Sequence, residues 1–207
     1  MPGPETAAIQ RKIALMGYPC VGKSSLTLRF VQGHFPDAYD TTIEDLHTKL
    51  FKFQGKPYDL QVIDTAGQQE YSLFPRSCAL DVHGYILVYA IDDRKTFEII
   101  QTIHDKIMEN VGETSVPLVL VGNKLDLQHS SRVPLVLVGN KLDLQHSSRS
   151  VSTEEGKKLA NAWKAAFIET SAKDNTAVQT IFEHMLYEIE SAAGNIQPTK
   201  KKECRVM

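Results

Sequence analysis

The segment from Gly17 to Ser24, Gly-Tyr-Pro-Cys-Val-Gly-Lys-Ser, has the residue types and spacing to hold phosphate groups. Successive backbone N–H groups and the start of a following helix can surround phosphate oxygens. Lys23 would then reach the β and γ phosphates, and Ser24 would offer its hydroxyl to Mg²⁺. The motif alone does not separate ATP from GTP. The predicted phosphate ligands in this loop are Gly17, Cys20, Val21, Gly22, Lys23, Ser24 and Ser25.

A second segment, from Asp64 to Gln68, follows a short apolar strand and can complete a metal and water site. A carboxylate at a strand end beside a phosphate loop can hold Mg²⁺ through water, which is the role predicted for Asp64. Gly67 has no side chain, so its N–H can approach a γ-phosphate and lose that bond after hydrolysis. Gln68 could orient the attacking water, so Gln68 and Lys23 are the predicted catalytic residues.

The sequence Asn-Lys-Leu-Asp, which occurs twice, can select guanine. Its aspartate can accept hydrogen bonds from the ring N–H and the amino group of guanine, whereas adenine offers neither donor there. Leaving a buried carboxylate unpaired costs on the order of 1–3 kcal/mol. Backbone N–H groups of Ser171, Ala172 and Lys173, after a predicted strand, could reach the purine oxygen.

The two copies lie in a tandem repeat of 17 identical residues, Val116–Arg132 and Val133–Arg149. Each copy holds one apolar strand and no helix, while parallel neighbours in a sheet need a crossover of a dozen or more residues. We therefore expect only one copy in the sheet. Seating the second copy keeps the excess chain away from the carboxyl ends of the strands, where nucleotides bind, so the second copy is favoured. The predicted guanine ligands are Asn140, Lys141 and Asp143, with Asn123, Lys124 and Asp126 as the alternative.

Predicted strands and helices alternate along the chain and must position these segments. Gln54-Gly55-Lys56 indicates a hairpin between two strands. A helix is predicted from about Thr96 to Asn110, and Ser152 with Glu155 forms a capping box that predicts another helix start. This order predicts an α/β P-loop fold: a mostly parallel six-stranded sheet with one antiparallel edge strand and helices on both faces.

Length and composition indicate one domain with flexible ends. The boundaries predicted for the 207 residues are a flexible stretch 1–10, a domain 11–194 that includes the duplicated segment 116–149, and a flexible tail 195–207. The net charge of −2 gives no reason to expect nucleic-acid binding. We see no signal peptide and no apolar run of membrane-spanning length, and three scattered cysteines suggest a reducing compartment.

Together, the phosphate loop, the Asp-Thr-Ala-Gly segment and Asn-Lys-Leu-Asp resemble the Ras superfamily of small GTPases, over about Arg11–Gly194. Tyr-Ser-Leu-Phe-Pro from Tyr71, His-Gly-Tyr-Ile-Leu-Val-Tyr from His83, and the C-terminal Cys-x-Val-Met narrow the resemblance to the Rheb family. It implies a molecular switch that hydrolyses GTP to GDP, with GTP/GDP as ligand and Mg²⁺ as cofactor. It also implies growth signalling, with the TOR kinase complex as effector.

The resemblance assigns further residues. Phe35 would stack on the base, Tyr39 would cover the phosphates, and Thr42 would be a phosphate-side Mg²⁺ ligand. The effector loop would comprise Tyr39, Asp40, Thr41, Thr42, Ile43, Glu44 and Asp45.

Three positions depart from the family pattern. Thr41 replaces a proline, which frees φ in the first switch. Gln69 stands where the family has an acid, which bears on partner recognition. Pro19 occupies a position that is Gly in most Ras proteins and Arg in Rheb, where a side chain crowds the γ-phosphate. We expect slow intrinsic hydrolysis that needs a GTPase-activating protein similar to the tuberous sclerosis complex.

The C-terminal tail ends in Cys204-Arg-Val-Met, which fits a C-a-a-X box with a final methionine that favours farnesyl. Lys200–Lys202 adds a small basic patch, and one lipid alone gives marginal, reversible membrane binding. The prediction is a prenyl group on Cys204 and a location at the cytoplasmic face of internal membranes (lysosome, Golgi or endoplasmic reticulum) and in the cytosol.

Three alternatives stay open at this point. The chain could be a guanine-nucleotide-binding module with impaired hydrolysis, because of Pro19 and the duplicated strand. An ATP-using phosphotransferase is disfavoured by the aspartate of Asn-Lys-Leu-Asp and by the absence of a second substrate motif. The repeat could also be an error in the gene model, in which case its removal leaves an uninterrupted small-GTPase pattern.

Overall fold

Six strands form one sheet in the computed structural model, which describes residues 7–36, 41–112, 116–129 and 149–196. The strands are β1 (Ile9–Gly17), β2 (Glu44–Phe53), β3 (Lys56–Thr65), β4 (Gly84–Ala90), β5 (Leu118–Asn123) and β6 (Ala166–Glu169). Their order is β2-β3-β1-β4-β5-β6, and only β2 runs antiparallel to its neighbour, through the predicted hairpin. The predicted fold class is confirmed.

Four helices cover the two faces of this sheet. They are α1 (Lys23–Gln32), α2 (Arg94–Val111), α3 (Thr153–Ala162) and α4 (Val178–Ala192). Because successive strand residues point to opposite faces, Ile13 and Leu15 of β1 pack with α1 and α4, whereas Ala14 and Met16 pack with α2 and α3. Each face therefore has its own apolar core, and the central strands are buried on both sides.

Side-chain caps fix the starts of two helices. The Ser152 hydroxyl accepts from the Glu155 N–H at 3.2 Å, and the Glu155 carboxylate accepts from the Ser152 N–H at 3.0 Å, so α3 begins where the capping box predicts. The predicted start of α2 at about Thr96 is late by two residues. The structure begins that helix at Arg94, because the Asp93 carboxylate accepts from the Lys95 N–H at 3.0 Å.

The sheet takes its fifth strand from the first copy of the repeat, and the expectation that the second copy is seated is wrong. Leu118–Asn123 pairs with β4 on one side and β6 on the other. Identical strands pack identically, so only the connections can distinguish the copies. Seating the first copy leaves a short link from α2, which ends at Val111, to β5, which begins at Leu118.

The described helices include none that is both long and apolar enough to cross a bilayer.

The hydroxyl of Tyr89, on β4, is fully buried and has no hydrogen-bond partner among the described residues. We expect Tyr89→Phe to leave the free energy of unfolding unchanged or to raise it by up to about 1 kcal/mol, because an unpaired polar group leaves the core. Urea denaturation measures this.

Tyr85 on the same face of β4 is the matched control, since its hydroxyl donates to the Cys78 carbonyl. Tyr85→Phe should cost about 1–3 kcal/mol because a buried carbonyl loses its donor. Equal losses in the two variants would contradict the assignment of Tyr89 as unpaired.

Candidate functional site

The loop between β1 and α1 wraps around the side chain of Lys23. The Lys23 Nζ donates to the carbonyls of Gly17 and Tyr18, at 3.1 Å each. Lys23 as a whole is only 5% exposed. Gly22 caps α1 with φ of 96°, so the helix N-terminus has no side-chain cap and its first N–H groups face the loop. This arrangement offers one buried cation and several backbone donors to an anion.

The charges beside this loop are strongly desolvated. Burial lowers the pKa of Lys23 to about 8, although the nearby Asp64 and Cys20 act in the opposite direction. Burial likewise raises the pKa of Asp64, against the opposing effects of Ser24 and Lys23. Burial therefore disfavours the charged form of both groups, and an opposite charge nearby offsets this effect.

Two hydroxyls and one carboxylate have the chemistry of a magnesium site. The hydroxyl oxygens of Ser24 and Thr42 lie 2.7 Å apart, and Asp64 is 2% exposed with an Oδ1 that has no hydrogen-bond partner among the described residues. No group of three or more His, Cys, Asp or Glu side chains gathers in the described parts of the chain. Mg²⁺ commonly takes one or two carboxylates and completes its shell with water and phosphate oxygens, so these residues fit it.

Gln68 is turned away from the cleft. Its Oε1 accepts from the Gly17 N–H at 3.0 Å, and its Nε2 donates to the Thr65 hydroxyl at 3.0 Å and to the Ala66 carbonyl at 2.6 Å. The side chain is buried, and its backbone N–H also binds the Gly17 carbonyl at 2.9 Å. The water-orienting role predicted for Gln68 therefore requires these bonds to break.

Pro19 lies directly against Gly67. A Cβ added at Gly67 would meet three atoms of Pro19, including its backbone N, at 2.5 Å. Both residues line the cleft, so the absence of a side chain at Gly67 permits the segment after β3 to pack on the phosphate loop.

Asn123, the last residue of β5, joins three parts of the site. Its Nδ2 donates to the Val21 carbonyl at 2.8 Å, and its Oδ1 accepts from the Ala172 N–H at 3.3 Å. The side chain is 2% exposed. It therefore links the phosphate loop to the loop after β6.

Asp126 lies in the turn that follows Asn123. Its Oδ1 accepts from the Ser171 hydroxyl at 2.7 Å, and the same hydroxyl accepts from the Asp174 N–H at 3.0 Å. Lys124 adopts φ of 70° and its Nζ lies 3.6 Å from the Asp92 carboxylate. The first copy of Asn-Lys-Leu-Asp is thus assembled with Ser171 in one place.

One cleft of about 780 Å³ connects the phosphate and guanine halves. It is lined by most of the predicted site residues, with Phe35 at its edge, 38% exposed, but not by Gln68. The cleft residues predicted from sequence are Cys20, Gly22, Lys23, Ser24, Ser25, Phe35, Thr41, Thr42, Asp45, Asp64, Gly67, Asn123, Lys124, Asp126, Ala172 and Lys173. Ile43 is 86% exposed beside it. Several predicted residues lie outside the described part of the chain: Tyr39, Asp40, Asn140, Lys141, Asp143 and Cys204.

Arg29 supports the site and was not among the predicted residues. From α1, its Nε donates to the Ala172 carbonyl at 3.0 Å and its Nη2 donates to the Lys173 carbonyl at 2.6 Å. The loop that can contact the base is therefore held by a cation from the phosphate-loop helix. An arginine on a polar helix face gives no sequence signal of such a contact, because its partners are distant backbone carbonyls.

A phosphate loop after β1 and an Asn-Lys-Leu-Asp turn after β5, at the same edge of the parallel strands, define a P-loop guanine-nucleotide-binding domain. The family model described as Ras family matches residues 12–135 and 128–191, two ranges that overlap where the copies of the repeat meet. The chain belongs to the Ras family of small GTPases, among its Rheb homologues.

The similar proteins span animals and fungi. GTP-binding protein Rheb homolog 1 of Caenorhabditis elegans is 48% identical over 94% of this chain and 85% of its own length. GTP-binding protein Rheb of Homo sapiens is 46% identical over 95% of this chain and 97% of its own. GTP-binding protein rhb1 of Schizosaccharomyces pombe is 41% identical over 94% of this chain and 95% of its own length.

Gly22→Ala tests the junction between the phosphate loop and Asn123. The added Cβ would lie 2.3 Å from Asn123 Nδ2, so Asn123 must move and its bond to Val21 is lost. We expect GTP affinity to fall by at least about tenfold, equivalent to about 1.4 kcal/mol, in a titration with a fluorescent analogue.

Gly33→Ala is the control, because Gly33 also has a positive φ of 79° but no heavy atom lies within 4 Å of the added Cβ. It should cost about 1–2 kcal/mol of stability from backbone strain alone and leave GTP affinity unchanged. Loss of GTP affinity in both variants would show that strain, and not the Asn123 contact, matters.

Asp126→Ala and Asp143→Ala test which copy of the repeat supplies the guanine carboxylate. With the first copy in the sheet, Asp126→Ala should weaken GTP binding about 100-fold, since two charge-assisted hydrogen bonds are worth about 3 kcal/mol. Asp143→Ala should change it less than about threefold, because its carboxylate serves no base. Equal losses would mean that the copies exchange, and the reverse order would place the second copy in the sheet.

Proposed function

We propose that the chain is a Rheb-like, Mg²⁺-dependent molecular switch that binds GTP and GDP in the cleft and hydrolyses GTP slowly by itself. The observation that carries this proposal is the single cleft in which Lys23 of the phosphate loop and Asp126 of the guanine turn face the same space. A triphosphate placed on the loop leaves its base beside Asp126. By family resemblance, the output is growth signalling through the TOR kinase complex.

Ser24, Thr42 and Asp64 would hold Mg²⁺, with Asp64 acting through water. When bound, the ion would supply positive charge beside the β and γ phosphates. The protein's own contribution is positional: Lys23 reaches the phosphates, and the hydroxyls of Ser24 and Thr42 already lie side by side. Thr42 connects this site to the effector loop, of which Ile43 to Asp45 are exposed.

Slow hydrolysis follows from the positions of Gln68 and Pro19. Both ends of the Gln68 amide are hydrogen-bonded, to Gly17, Thr65 and Ala66. In this conformation the side chain therefore orients no water in the cleft. The Pro19 ring packs on Gly67, the residue whose N–H is expected to approach the γ-phosphate. We therefore propose that a GTPase-activating protein, similar to the tuberous sclerosis complex, completes the catalytic site. It would either contribute a side chain that orients the attacking water or release Gln68 to do so.

The same two observations favour a second candidate, a guanine-nucleotide-binding module with negligible turnover. The two candidates differ only in hydrolysis. Titration with fluorescent GTP and ATP analogues tests the shared part, with GTP expected to bind at least about 100-fold more tightly. Single-turnover phosphate release then separates them: slow release identifies the switch, and none identifies the module. Tighter binding of ATP would overturn both.

We further propose that the chain is anchored through a prenyl group on Cys204, at the cytoplasmic face of internal membranes. The C-a-a-X ending supports this, and Lys200–Lys202 adds attraction to anionic lipid. Mass spectrometry of the protein isolated from cells tests it, and an unmodified Cys204 would overturn it.

Gln68→Leu tests the role of this glutamine in the reaction. Because its amide faces away from the cleft, intrinsic phosphate release should change less than about threefold, far from the 10²–10⁴-fold typical of a group that transfers or directs a proton. Stability should fall by about 1–3 kcal/mol, since the buried Gly17 N–H loses its acceptor.

Gln69→Leu, at an exposed position next in the chain, is the control and should change neither the rate nor the stability. A drop in intrinsic phosphate release of a hundredfold or more in Gln68→Leu alone would show that Gln68 swings into the cleft and orients the water after all.

A further inference from the structure

A second cavity, of about 320 Å³, lies at the opposite end of the sheet from the nucleotide cleft. It is formed at the amino ends of β1, β4 and β5 together with the last turn of α4. Its size is at the lower end of the roughly 300–1,000 Å³ of small-molecule pockets. The apolar residues that form it are Val82, Val111, Val116, Pro117, Ile189 and Ala192.

Most of these apolar side chains are only half-buried, so the cavity presents hydrocarbon to solvent. Its polar rim carries little charge that a ligand could use. The Arg11 guanidinium is held by the Glu190 carboxylate at 2.7 Å and by the Gln10 carbonyl at 2.9 Å. The His83 Nδ1 accepts from the Lys12 N–H at 3.0 Å, and burial lowers the pKa of His83. An uncharged apolar group suits such a site.

The cavity also lies at the root of the C-terminal tail. Ala192 and Ala193 line it, and the described chain ends three residues later at Ile196. Cys204 follows eight residues beyond Ile196. Eight residues span at most about 26–29 Å when extended and about 15 Å as a flexible coil. The tail is therefore long enough for the Cys204 sulfur to reach the cavity, which Ala192 and Ala193 line just before the tail begins.

We propose that this cavity, named here the tail-root pocket, is an intramolecular docking site for the prenyl group on Cys204. The proposal rests on the prenylation proposed above. Apolar walls and a neutralised rim match an isoprenoid chain, and the exposed Asp81 next to Val82 can pair with a lysine of Lys200–Lys202. A tether of this length gives an effective concentration in the mM range, so modest affinity suffices for occupancy.

Docking in the tail-root pocket competes with insertion into a membrane. Only protein with an undocked prenyl group can enter a bilayer. The apparent membrane partition of the protein is therefore the intrinsic partition multiplied by the undocked fraction. The single prenyl chain and short basic patch give weak membrane binding in any case. The pocket would thus keep part of the protein soluble without a second protein.

The test uses the full chain carrying a farnesyl thioether installed on Cys204 in vitro, verified by mass spectrometry. Methyl NMR should show shifts at Val82, Val111 and Ile189 when farnesylated and unmodified chains are compared. Ala192→Trp, at an exposed position lining the pocket, should abolish these shifts by filling the mouth. Ala162→Trp, an exposed helical alanine outside the pocket, is the matched control and should preserve them.

Vesicles of phosphatidylcholine with phosphatidylserine supply the second measurement. If the pocket is filled about two-thirds of the time, Ala192→Trp raises the vesicle partition of the farnesylated chain about threefold relative to the parent and to Ala162→Trp. Equal partition with no methyl shifts would overturn the proposal. Methyl shifts that grow with protein concentration would also overturn it, because the occupant is then a neighbouring chain's prenyl group.

The two proposals about the tail fail separately. An unmodified Cys204 in protein from cells would overturn anchoring and leave the pocket result from the in vitro product standing. A prenylated Cys204 in cells without methyl shifts in vitro would retain anchoring and remove the pocket.

Discussion

The amide of Asn123 is the contact on which the site depends. It binds the Val21 carbonyl with one end and the Ala172 N–H with the other, so three segments distant in sequence meet at one buried side chain. Gly22 allows this approach, since a Cβ there would overlap the amide. A buried amide left without partners costs about 1–3 kcal/mol, so the fold favours keeping both contacts. Arg29 reinforces it by holding the Ala172 and Lys173 carbonyls from α1.

The duplication is accommodated because the domain combines parts of both copies. The first copy supplies β5 and the turn through His129, and the second supplies its last residue, Arg149. Arg149 donates to Gln128 Oε1 at 2.8 Å and to Glu169 Oε1 at 2.8 Å, which ties the returning chain to the end of β6. The described residues on either side of 130–148 therefore lie close together, and a longer connection between two close points costs only about 0.6 kcal/mol per doubling of its length.

The nucleotide cleft concentrates groups that are costly to bury without a ligand. Lys23 and Asp64 are both almost fully buried, and Asp64 has an oxygen with no partner among the described residues. A ligand that satisfies these groups binds the folded state alone and stabilises it in proportion to the logarithm of its concentration. The opposite end of the sheet has the reverse character, because Arg11 pairs with Glu190 and apolar surface is left exposed around the tail-root pocket.

Local patterns determined much of this protein. The glycine spacing of the phosphate loop, the period of two in the strands and the Ser152 capping box each depend on residues close in sequence, so the fold class and most cleft residues could be predicted. The start of α2 was missed by two residues, because the Asp93 cap is a weaker signal than apolar periodicity.

Only the tertiary structure decided three further points. Two identical strands carry identical patterns, so the seating of the first copy depends on how the connections close around the sheet. Gln68 has the residue type and position of a catalytic group, yet Gly17 and Thr65 hold its amide away from the cleft. The tail-root pocket is formed by residues from Arg11 to Ala193 that no motif relates. Patterns in the sequence report interactions between residues that are close along the chain. Which copy of the repeat occupies the β5 position, and which groups bind the Gln68 amide, depends on residues far apart in sequence and is decided only when the whole chain is packed.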